Sequence, residues 1–138
     1  MEGQVLSKKM ARMFVLTATA LTTSICVLSS PAVAGPLDTA YSNAMVPYVV
    51  LKRGSVECGK PAGEHISYKT RLLGILGRVP SIDLIAADRE IERAFEREAP
   101  RTSYTECSDA LLLRYHNALN SDAERALQYL SEQVSELR

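Results

Sequence analysis

The chain has 138 residues, with 16 Lys plus Arg against 16 Asp plus Glu, so its formal charge is zero. Clustered, unbalanced cations are what draw a protein to nucleic acid or anionic lipid, and a balanced chain offers no such general attraction. The length suits one domain.

The first segment reads as an export leader. Lys8, Lys9 and Arg12 precede an apolar run at 13–28, and Ser29, Ser30 and Pro31 weaken any helix beyond it. Basic region, apolar run and breaker stand in the order that a secretory signal requires. Ala32-Val33-Ala34 then supplies small residues at the first and third positions, placing the cut before Gly35. A membrane anchor is the rival reading, and it needs about 20 apolar residues. The run has 16, of which five are Thr or Ser. Ile25 stands where a lipoprotein signal wants a small residue, which argues against lipid attachment at Cys26. Translation from Met10 or Met13 would shorten the basic region and leave the mature chain unchanged.

The expected domains are therefore a signal peptide, 1–34, and one helical domain, 35–138, of 138 − 34 = 104 residues. Removing three cations and Glu2 leaves a charge of 13 − 15 = −2, still near neutral. Cys26 leaves with the leader, so Cys58 and Cys107 remain, and two thiols in an oxidising compartment pair. The closed loop of about 50 residues corresponds to roughly 4 kcal/mol in the chain-entropy description.

Beyond Gly35 the apolar residues recur at three and four, a helical spacing. A first helix is expected over 38–51, with Leu37, Tyr41, Ala44, Met45 and Tyr48 on one face and Asp38 as cap. Pro47 should kink it or turn Val49-Val50-Leu51 irregular. Gly54, Gly59, Pro61 and Gly63 mark 52–63 as a connection around Cys58. A second helix over 64–76 buries Leu72, Leu73 and Leu76 and stops at Gly77 and Pro80. Ser81 can cap a third over 82–98, striped by Leu84, Ala87, Ile91, Ala94 and Phe95.

Opposite that stripe run an acidic row, Asp88, Glu92 and Glu96, and a basic row, Arg89, Arg93 and Arg97. Pairs such as Arg89 with Glu92 and Arg93 with Glu96 are three apart and can support the helix. Arg89, Arg93, Arg97, Glu92 and Glu96 form the candidate partner-binding face; a plain solvated face is the alternative. A last helical region covers 103–137, with a possible joint at Asn120 and Ser121, a capping box of Ser121 with Glu124, and a stripe of Ala123, Ala126, Leu127, Leu130, Val134 and Leu137.

The expected fold is thus all-α, a small antiparallel bundle of about four helices with one disulfide. Short connections make the second and fourth helices run in the same direction, bringing Cys58 and Cys107 to one end. His65 and His116 form no metal-ligand spacing, no C-x-x-C-H marks a haem, and no G-x-S-x-G frames a nucleophile. No catalytic residue, metal or cofactor is assigned. The tyrosines, Tyr41, Tyr48, Tyr68, Tyr104, Tyr115 and Tyr129, suit half-buried helix interfaces or a binding groove.

The leading expectation is a non-enzymatic, periplasmic or extracellular interaction module whose partner is an envelope or secreted protein, or a second copy. The alternative is a small-ligand carrier or enzyme with a Tyr/Arg-lined interhelical pocket. A thiol-active role for Cys58 and Cys107 is a third.

Overall fold

The computed structural model describes residues 35–98 and 107–137, so the leader and Ser103, the expected start of the last helical region, lie outside the described residues. Four helical rods make up the described part: α1 (Pro36–Cys58), α2 (Ala62–Leu76), α3 (Leu84–Glu98), and a last rod formed by α4 (Asp109–Asn117), a π-helical turn (Ala118–Asp122) and α5 (Ala123–Ser135). The all-α bundle with a Cys58–Cys107 disulfide is as expected, and no strand occurs among the described residues.

The main departure is α1, which continues as one helix past Pro47 and Gly54 to Cys58. Proline removes the amide that would bond to the carbonyl four residues back. Here the adjoining turn is pinned from outside, because the Tyr68 hydroxyl donates to the Ala44 carbonyl at 2.8 Å. Tertiary packing does the rest. α1 touches α2, α3, α4, the π turn and α5, and 47–51 are buried without a break. Burial thus widens beyond one face at 47–51, and that is why the one-sided stripe expected at 38–51 understates it. Of the predicted connection, 52–63, three residues remain between the helices. Gly59 takes a positive φ of 63° and its amide closes onto the Gly54 carbonyl, ending α1.

Gly54 itself has another purpose. A methyl group there would lie 2.2 Å from Cδ2 of Tyr115, so glycine is what lets α1 and α4 approach closely. Near it, Arg53 makes a two-pronged ion pair with Glu57 at 2.8 and 3.2 Å.

α2 runs antiparallel to α1, with Tyr68 against Ala44 and Tyr48 edge-on to His65. Gly77 ends α2 with right-handed backbone, not the left-handed form the sequence suggests. Ser81 is not the cap of α3. It adopts φ 60°, and Asp83 accepts from the amides of Ile85 and Ala86 at 2.9 and 3.0 Å. A carboxylate caps as well as a hydroxyl and adds a favourable charge at the positive end of the helix. α3 packs on α1 and α2 alone among the described helices.

Ser108 caps α4 by accepting from Leu111 N at 3.1 Å. The last rod resolves the question of one helix or two: it is continuous, with a π turn at the expected joint. The reason is phase. Leu111, Tyr115 and Ala118 are buried in one half, Leu127, Leu130 and Val134 in the other. Leu130 lies twelve positions after Ala118, about 120° away round a regular helix. A π turn absorbs one residue, which brings the two stripes to within about 20° of each other. The Ser121–Glu124 capping box is accordingly not formed. Ser121 Oγ instead points back to the Asn117 carbonyl and to Asp122, and Glu124 pairs with Arg71 on α2 at 2.7 Å.

Arg71 with Glu124 and Arg78 with Ser131 show that α2 and the last rod run in the same direction. Their starting ends therefore sit together, as the antiparallel scheme requires. Cys58 and Cys107 are joined there, 49 residues apart in sequence with Cα atoms 4.8 Å apart.

Candidate interaction surface

α3 carries the candidate face, and its two charged rows separate in space. Glu92 turns inward. It accepts from the Tyr48 hydroxyl at 2.7 Å and from Lys69 at 2.7 Å, and it pairs with Lys52. Lys69 also reaches Asp88 at 2.8 Å, and the ammonium of Lys52 stands 4.3 Å from the centre of the Phe95 ring. Two carboxylates and two ammonium groups are thus matched at the junction of α1, α2 and α3. Partial burial acts to raise the Glu92 pKa. The bonds from Lys52, Lys69 and Tyr48 outweigh it and hold the carboxyl down at about 2.

Burial, and then the bond to Glu92, pushes the Tyr48 phenol well above its ordinary range. His65 lies beside this cluster. Burial lowers its pKa first, and the positive charge of Lys52 adds to that. Its Nδ1 is shielded from solvent and has no hydrogen-bond partner among the described residues. The pairs expected from sequence, Arg89 with Glu92 and Arg93 with Glu96, give way to a different set. Glu90 holds Arg93 at 3.3 Å and Arg97 at 2.8 Å. Arg89 and Glu96 are exposed on the outer face of α3.

Of the five candidate residues, then, Arg93 and Arg97 converge on Glu90, Arg89 and Glu96 face outward, and Glu92 belongs to an interhelical lock. Tyr48, Lys52 and Lys69 were not singled out beforehand. One signal for them was present: Asp88 and Glu92 are like charges four apart on one face, an arrangement that calls for outside cations.

Beside Arg93 and Glu90 the surface opens into a groove of about 480 Å³. Leu37 and Tyr41 of α1, Leu76 at the end of α2, Val79 and Ile82 in the following turn, and Ala86 and Ala87 of α3 form its apolar walls. Asp38, Asp83, Glu90 and Arg93 supply its charges. Ile82, Leu84 and Ile85 are exposed around the start of α3, Ile85 by 66%. A second cleft, about 330 Å³, brings Arg53, Arg97, Arg114 and Glu98 over Met45, Val46 and Val49. Arg53 and Arg97 there are already paired with Glu57 and Glu90.

The tyrosines divide between interior and surface. Tyr48, Tyr68 and Tyr115 are core residues, Tyr41 lines the large groove, Tyr129 is exposed near Asn43 and Asp122, and Tyr104 lies outside the described residues. Among the described residues no three His, Cys, Asp or Glu side chains gather as a metal-binding group, and no helix is long and apolar enough to cross a membrane. The fold and surface define a disulfide-stapled helical bundle with an open apolar groove. Compared with known proteins, the chain matches no family model, no curated protein and no solved structure.

Proposed function

We propose that this chain is exported, loses its leader before Gly35, and works in the periplasm or outside the cell as a non-enzymatic protein that binds another protein through the groove between α1 and α3. The groove carries this reading. It is apolar, open, and edged with charge, which are the features of a surface that a partner covers. The best-organised polar cluster, around Glu92, has its charges matched among themselves and acts as a lock between helices.

Two observations favour export. The expected cut falls directly before Gly35, the N-cap of α1, whose amide bonds to Asp38 at 3.2 Å. The Cys58–Cys107 disulfide suits an oxidising compartment.

The test is affinity capture with cross-linking from an envelope extract, comparing the wild-type protein with Ala86→Arg, which fills the exposed groove wall. A protein captured by the wild type and lost with Ala86→Arg is the expected result. Equal capture by both proteins, or none by either, contradicts the reading.

A further inference from the structure

We propose that the partner segment seated in this groove is apolar and basic, with side chains such as leucine in the trough and a lysine or arginine that pairs with Asp83. The inference rests on the groove binding another protein and states what that protein presents to it. Asp38 of α1, Asp83 in the turn before α3 and Glu90 of α3 stand among the apolar walls, against Arg93 as the one base of the lining. Arg93 is committed to Glu90, which also holds Arg97. Asp38 accepts from the Gly35 nitrogen at 3.2 Å, and cleavage before Gly35 makes that nitrogen an ammonium. Asp83 is the carboxylate left over. Both of its amide bonds, from Ile85 and Ala86, go to Oδ1, and among the described residues no lysine or arginine pairs with it.

Covering the groove turns that leftover charge into a requirement. A carboxylate withdrawn from water is costly unless a cation meets it. An uncharged apolar partner would leave Asp83 covered with two amide bonds alone, and an acidic one would set like charges together. A lysine or arginine beside the apolar contacts removes that cost. The charge therefore selects among partners that the apolar walls would accept equally.

Fluorescent peptides with one leucine-rich face and lysine, glutamine or glutamate at the flanking positions test this, titrated by anisotropy against the oxidised protein recovered from expression of the full-length chain. The lysine peptide should bind at least about tenfold tighter than the glutamine form, the glutamate form should be weaker still, and added salt should erode the difference. Asp83→Asn keeps the helix cap, because asparagine caps as well as aspartate. It should bring the lysine and glutamine peptides to within about threefold of each other, since the charge pair is gone. Ala86→Arg should weaken every peptide, with thermal melts confirming that both variants are folded. A lysine peptide that does not bind, or binds no better than the glutamine form, overturns the proposal, and so does a preference that survives Asp83→Asn. Those results leave groove-dependent capture of another protein standing, because that reading fails on Ala86→Arg and not on Asp83→Asn.

Discussion

Gly54 and Gly74 both lie inside helices, and a single methyl group should have opposite effects at the two. At Gly54 the methyl would enter the Tyr115 ring. Gly54→Ala should therefore cost about 2 kcal/mol or more, an overpacking penalty. At Gly74 nothing lies within 4 Å, so Gly74→Ala should stabilise α2 by about 0.5 to 1 kcal/mol through reduced freedom of the unfolded chain. Urea denaturation of the two variants measures both. Glu92 gives a second test. Its folded pKa is depressed to about 2 from 4.5, so the unfolded chain takes up the proton first. The stabilisation is present above pH 4.5 and is lost as pH falls toward 2. Because the side chain is about a third exposed, solvent screening reduces the contribution to about 1 to 2 kcal/mol. His65, whose pKa is also lowered, adds loss of stability in the same direction once pH drops below 6.5. Melts from pH 7 to 2 should fall less steeply at the acid end for Glu92→Gln than for wild type; parallel curves would show that Glu92 does not carry the effect.

Elements differed in how plainly the sequence announced them. α3 and α5 have one buried face and one wet face, so spacing alone located them. α1 shows its stripe of Ala44, Met45 and Tyr48 in its first half, but 47–51 are buried without a break, and there the one-sided spacing is lost. Its glycine at Gly54 resembled a loop marker because a close helix crossing and a turn both require a missing side chain. The π turn was legible in part: the joint was expected at Asn120 and Ser121, but the angular offset between the Tyr115 and Leu130 stripes is what demands it. If that offset is the cause, deleting Asn120 should yield a regular helix with both stripes still facing α1. Inserting an alanine after Asn120 should rotate α5 by a further ~100° and expose Leu127 and Leu130. Circular dichroism melts should show the deletion near wild-type stability and the insertion strongly destabilised; equal damage from both would refute the phase explanation. For the candidate face, sequence placed charges on α3 but not their directions. Glu92 turned inward because Tyr48, Lys52 and Lys69 wait on other helices, and such partners are invisible to spacing within one helix.

At the scale of the molecule, the cysteine pairing was the most readable long-range feature, since both the topology and the compartment pointed to it. The disulfide ties the end of α1 to the start of the last rod, closing the end of the bundle where α2 also begins. The groove was not readable, because it is built from the ends of three helices and the turn after Leu76, none of which is distinctive alone. Export and the disulfide together are the claim on which the functional reading stands. Intact-mass spectrometry of the protein made from the full-length gene in a bacterium with an oxidising periplasm tests both at once. The account predicts a periplasmic product beginning at Gly35, about two mass units lighter than the reduced chain because two thiol hydrogens are lost on pairing. A full-length cytosolic product with both thiols alkylated would contradict it.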